Sequence, residues 1–319
     1  MSVAALFAAA LISVAPQDST PSTSLGEPVE VEDIIVNGRR FEEAAARYVG
    51  AVANPAGSRG LARWRSEVCV SVANLQPEAA QHIIDRISAV AIDLGLTPGD
   101  PGCKPNIIIS VTDDPSGLAA SLVGQSFRSF HTGGSGTDQG RAKLNAFIRD
   151  ERPVRWWHLS YPGNAETGEL AVRLPGFYDA KGMMADGSDV HAYAPAVRTT
   201  SASRIRSAIS DFLSQVIIIV DTDEVGSLSL DQLSDYLSMV AFAQIDPAGQ
   251  TREFSTILNL FDETVAMPAG LTSWDKAYLS ALYQSDLTRI QIGNQRSALA
   301  AAALAAKAEA DQPLSLIHI

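Results

Sequence analysis

The chain is short of the residue types from which metal and cofactor sites are made. It has two cysteines and five histidines in 319 residues. Cys69 and Cys103 stand alone, with no Cys-x-x-Cys, and supply half the ligands of a four-thiolate zinc site. No His-Glu-x-x-His, no P-loop and no dinucleotide-binding glycine pattern after a strand is present, so neither a catalytic residue nor a cofactor is assigned. Basic residues are also in deficit. Lys and Arg total 24 against 36 Asp and Glu, a net charge of −12. Such a surface repels nucleic acid and anionic membrane, and neither is expected as a partner. Beyond the N-terminus no apolar run reaches the ~18 residues of a membrane-spanning helix, so a soluble chain is expected.

The residues that are present describe a globular protein. A hydrophobic fraction of 46% with 19% charged residues is too apolar for a disordered chain. Val3 to Val14 is an apolar run broken only by Ser13, and Ser13-Val14-Ala15 at its end offers a small-residue cleavage site. Residues 1–15 therefore read as a signal peptide, although no basic residue precedes the apolar run and Pro16 follows the cut. A buried N-terminal helix is the alternative. An even cysteine count beside a signal-like start suggests a Cys69–Cys103 disulfide, which would close a loop of about 35 residues. Two separate buried thiols are the alternative. A periplasmic or secreted location is expected from both features.

Along the chain, 16–40 is rich in Ser, Thr, Pro and acid and reads as a flexible leader. Its end, 32–40, is similar to the short Ile-Val-Val-Thr-Gly-Arg-Arg segment of many alphaproteobacterial exported proteins; by itself it reads as a short strand closing in an Asn37-Gly38 turn. Residues 41–290 read as one α+β domain with a mixed sheet packed against helices. Helices are expected at 41–52, 77–94, 114–122, 141–149, 203–213, 230–245 and 272–283, and strands at 67–72, 106–111, 153–161 and 216–221. Pro162 to Gly168 reads as a hairpin turn, and 176–198 as a long surface loop. Residues 291–313 form an Ala-rich helical tail expected to be exposed. The last six residues, 314–319, match the translation of a transposase end used in building sequencing libraries, and are expected to be adaptor.

Three stretches could carry chemistry. Asp221 to Gln232 has the Asp, Asp, Gly and Ser spacing of an EF-hand loop, which makes Asp221, Asp223 and Ser229 calcium candidates. Val225 and Gln232 stand where oxygen ligands belong, and the same residues read equally as a strand end followed by a Ser229–Gln232 capping box. The second stretch, Arg152 to His158, gathers Arg155, Trp157 and His158 as candidates for holding an anion or a planar ligand. Strand alternation puts Arg155 and Trp157 on one face, and Trp156 and His158 on the other. The competing reading is a core strand with packed aromatics. The third, His131 to Arg141, is a glycine-rich loop whose amides at Gly133 to Gly136 could cradle an anion; a plain flexible loop is the default. His82 reads as a structural histidine on an amphipathic helix, and Asp113-Asp114 as a carboxylate pair that a hydrolase could use.

Gly270 to Tyr283, reading GLTSWDKAYLSALY, resembles the closing helix of zincin metalloproteases, with Met267 just upstream where some members place a methionine turn. The order strand, long helix, strand, further strands and two helices resembles the same domain, and the chain is similar to an alphaproteobacterial exported family of unknown function with this zincin-like ending. That resemblance implies a metal-binding penultimate helix. Ser229 to Asp246 stands in its place and contains neither His nor Glu. A zincin-like fold without its metal ligands is therefore expected, with a binding or assembly role toward a protein partner in the cell envelope. A hydrolase with an unrecognised site and a calcium-stabilised module are the alternatives.

Overall fold

The computed structural model describes residues 31–55, 59–65, 67–130, 139–171, 197, 206–288 and 292–310. The signal-like segment, most of the leader, Gly133 to Gly136, His131, His191, nearly all of 176–198 and the adaptor-like end lie outside them. The chain divides into a short unit, Met1–Arg39, and a main unit, Arg40–Ile319. The described elements are α1 (Val31–Val52), β1 (Ala62–Arg63), β2 (Val70–Ala73), α2 (Pro77–Asp93), β3 (Ile107–Thr112), α3 (Pro115–Gln125), α4 (Phe127–Phe130) and α5 (Arg141–Arg149). They continue with β4 (Val154–Asn164), β5 (Ile209–Asp221), α6 (Thr222–Val225), α7 (Leu230–Phe242), a 3-10 turn at Ile257–Asn259, α8 (Ser273–Gln284) and α9 (Ile292–Ala310).

The sheet is organised around β5. Its Val216–Val220 run is β-branched throughout, which suits a strand covered on both faces. On one edge β5 pairs in parallel with β1 at Asp211–Phe212 and with β3 from Val216 to Asp221, and β2 extends the sheet in parallel beyond β3. On the other edge β4 runs antiparallel, from Val154 opposite Val220 to Asn164 opposite Ile209, with an irregularity at Leu159/Ser160. The α+β expectation with a mixed sheet is therefore met.

Side-chain alternation sends the two strands' residues into two cores. Val216, Ile218, Val220 and Trp156 join the large core with α1, α2, α7, α8 and α9. Ile217, Ile219, Trp157 and Leu159 join a smaller one with α3, α4 and α5. The helices follow from their stripes. In α1, Ala45, Tyr48, Val49 and Val52 recur at helical spacing and are buried, as are Ile83, Ile87 and Ala91 in α2. Asp114 caps α3, accepting from Gly117 N at 2.8 Å. Both expected capping boxes form, Ser229 with Gln232 on α7 and Thr272 with Asp275 on α8.

Five expectations are corrected. Helix α1 begins at Val31, so 31–40 is not a flexible leader and Asn37-Gly38 makes no turn. One Gly costs a helix about 1 kcal/mol, and adding turns to a helix already anchored by its buried stripe is cheap. Within 203–213, Ile209 to Leu213 is strand, not helix, because it pairs with β4 and, at Asp211 and Phe212, with β1. The Ile209, Phe212, Leu213 spacing imitates a helix, and tertiary pairing overrides it. The expected turn at 162–168 shortens, since β4 runs on to Asn164 and the reversal uses 165–168, with Gly168 at φ +76°. The strand expected at 67–72 is confined to Val70–Ala73, while Val68 makes only a single bridge to Pro98. Finally, α9 is no exposed tail: Leu299, Ala300 and Ala303 are buried in the large core.

Candidate functional site

Cys69 and Cys103 are bonded, with Cα atoms 6.0 Å apart. The bond ties the residue before β2 to the turn before β3. No described helix is long and apolar enough to cross a membrane.

The calcium candidates sit where β5 meets α6 and α7, and Asp221 Oδ1 and the Ser229 hydroxyl are engaged in caps. Asp221 Oδ1 accepts from Asp223 N at 3.0 Å and caps α6. The Ser229 hydroxyl accepts from Gln232 N at 3.2 Å, and Gln232 Oε1 accepts from Ser229 N at 3.2 Å. Helix ends thus use the Asp221 and Ser229 oxygens that an EF-hand loop would direct at an ion. Among the described residues no three carboxylate, His or Cys side chains come together in a metal-binding group.

Arg155, Trp157 and His158 are brought together, and each has a structural partner. An α-helix leaves its last four carbonyls without intrahelical donors, and β4 supplies donors to several of them. His158 Nε2 lies 2.8 Å from Val240 O in the last turn of α7. A carbonyl only accepts, so Nε2 carries the proton and Nδ1 is the ring's acceptor. Burial pushes the imidazole pKa down to about 4, only partly opposed by that hydrogen bond. His158 is thus a neutral donor and a weak base. Two more donors reach the same helix end: Trp64 Nε1 to Ala241 O at 2.8 Å and Tyr283 Oη to Phe242 O at 3.0 Å. Trp156 Nε1 donates to Ile245 O at 3.1 Å just beyond it. On the opposite face, Arg155 donates to Ile148 O at 2.9 Å, closing the end of α5, and to Ser116 Oγ at 3.1 Å. Trp157 Nε1 donates to Phe130 O at 3.0 Å. The core-strand reading of 152–158 describes these contacts, with the face assignment as the alternation required.

The same strand nonetheless borders a cavity of about 150 Å³, between β4, α5 and the turn Ile245–Ala248. Trp156, Phe147 and Ile245 give it apolar walls, and Arg155, Trp157 and His158 all line it. Charged residues that sequence reasoning had not singled out surround it. Lys143 Nζ donates to Asn54 Oδ1, and to Gln139 Oε1 at 3.2 Å. Arg152 donates to Pro247 O and lies 3.3 Å from Asp150 Oδ2. Asp246 Oδ1 accepts from Ala248 N at 3.1 Å. Lys143 carries no sequence signal, because Asn54, whose side-chain oxygen holds it, lies 89 residues away in the chain, and only Gln139 is local. Across the Arg152–Pro247 contact lies a second, more open cavity of about 490 Å³, reached by Tyr236 and Phe261.

No protein-family model, no curated protein and no solved structure matches the chain significantly. The other polar clusters are structural. Arg86 grips the buried Asp235 at 2.6 and 3.0 Å, and Asp235 accepts from Leu271 N at 2.8 Å. The fully buried Asp275 accepts from Tyr48 Oη and Ile257 N, each at 2.8 Å, and from Thr272 N at 2.9 Å. His82 Nε2 meets Asp231 Oδ1 at 2.9 Å, linking α2 to α7 as a structural histidine would. Asp113 and Asp114 do not line the cavity.

Proposed function

We propose that the chain is an exported, non-catalytic protein of the cell envelope that binds a small ligand in the cavity beside β4. The observation that carries the reading is the contrast at that strand. Its reactive side chains are held in helix-capping hydrogen bonds, while the space they border is open and walled by Trp156, Phe147 and Ile245. Binding sites of this kind combine apolar walls with a few fixed polar groups. The Cys69–Cys103 bond supports an oxidising compartment. The order β2, α2, β3, β4, β5, α7, α8 supports a zincin-like origin, and α7 carries neither of the residue types that would bind a metal there.

Phenol is the size of one ring and carries no charge, so it tests occupancy without any charged contact. Phenol titrated into the mature protein is expected to change the tryptophan emission saturably, and Ala146→Phe, which fills the cavity from α5, is expected to abolish the response. An identical response in both proteins would remove the cavity as a ligand site.

A further inference from the structure

We infer that the cavity takes a small carboxylate built on one flat ring, with a hydroxyl or N–H donor at the end remote from the carboxylate. The inference rests on the ligand-binding reading above and adds the ligand's chemistry. Size comes first: an apolar protein cavity of about 150 Å³ accommodates a benzene ring. The walls suit a flat body, since the Trp156 indole and the Phe147 ring both border the space.

Charge selects the polar end. Lys143, Arg152 and Arg155 line the cavity against Asp150 and Asp246. Asp150 is matched by Arg152 at 3.3 Å. Among the described residues Lys143 is held by the neutral oxygens of Asn54 and Gln139, and no described carboxylate forms an ion pair with it. An ammonium uses three donors, and two of them are accounted for, which leaves one for a ligand anion. Arg155, 5% exposed, adds a buried Nε–H that has no hydrogen-bond partner. A buried donor without an acceptor costs about 1–3 kcal/mol, and a ligand oxygen would relieve it.

The other end of the ligand is set by His158. This side chain is 3% exposed and borders the cavity, as does the exposed Lys143, so a ligand anchored at Lys143 that reaches His158 extends from solvent into the buried part of the site. With Nε2–H committed to Val240 O, Nδ1 can only accept. It remains an acceptor at neutral pH, because burial keeps the ring uncharged. The complementary ligand group is therefore a donor.

The test is calorimetric titration at pH 7 with phenol, benzylamine, benzoate and 4-hydroxybenzoate, on the wild type, Lys143→Met and Ala146→Phe. 4-Hydroxybenzoate is expected to bind tightest and benzylamine weakest. Lys143→Met is expected to weaken both carboxylates about tenfold and to leave phenol unchanged, as the loss of one charge-assisted contact requires. Carboxylates that bind no better than benzylamine, or that are insensitive to Lys143→Met, would overturn the inference while phenol binding leaves the cavity reading standing. Equal affinity for benzoate and 4-hydroxybenzoate would overturn the role of His158. Silence from all four probes would overturn the cavity reading itself.

Discussion

At the scale of single residues, this protein spends its distinctive side chains on helix ends. Arg63 donates to Leu282 O, Tyr283 O and Ser285 O at 2.9, 2.7 and 3.0 Å, placing a guanidinium where the partial negative charge of α8 is concentrated. Arg155 does the same for α5, and His158, Trp64 and Tyr283 serve α7. The role of His158 has a consequence for pH. Its pKa falls from the ordinary 6.5 to about 4 on folding, so the unfolded chain takes up a proton that the folded one refuses. Its contribution is complete above about pH 6.5 and is lost as pH falls toward 4, amounting to about 3 kcal/mol. Asp275 has the opposite sign, because burial raises its pKa and disfavours its charged form as pH rises through that raised value. Urea unfolding of wild type and His158→Gln from pH 7.5 to 4 separates the two. The variant's stability is expected to change less over this range, and parallel curves would rule the histidine out as the cause.

The elements show which sequence signals survive folding. Caps written within four residues, at Ser229–Gln232 and Thr272–Asp275, form as expected because both partners are local. The α2 stripe and the Val216–Val220 run hold because their periodicity matches the surfaces they meet. Ile209 to Leu213 and the alanine-rich α9 depart from their local patterns for one reason: their neighbours are distant in sequence. An Ala-rich helix looks soluble in isolation, yet Leu299 and Ala303 of α9 are buried in the main core. Leu299→Ala is expected to cost about 2–5 kcal/mol, the range for truncating a buried leucine, as measured by denaturant midpoint. A change near zero would return α9 to the status of a solvated tail. The candidate site divides in the same way. Arg155, Trp157 and His158 were legible because they lie in one strand. Lys143, Asn54 and the Ile245–Ala248 turn were not, because the cavity gathers them from three other segments.

Across the whole molecule, β5 is the common member of the sheet, with helices on both faces, and the disulfide secures the outer strand β2 to the turn that precedes β3. That link spans 34 residues of sequence, enough for about 3–4 kcal/mol by restricting the unfolded chain. Reduction, checked by calorimetry with and without dithiothreitol, is expected to lower Tm on the order of 10 °C; an unchanged Tm would show the bond to be dispensable. The sequence by itself determined what depends on local chemistry and average composition: an α+β globule, its two capping boxes, the buried central strand, the alternation of Arg155 and Trp157 against His158, and the candidate cysteine pair. Tertiary structure alone decided what depends on which distant segments meet. It turned 209–213 into strand, drew α9 into the core, assigned His158 to a helix terminus, and opened a cavity beside Lys143. Hydrophobic periodicity specifies a face to be buried, but not the surface that buries it.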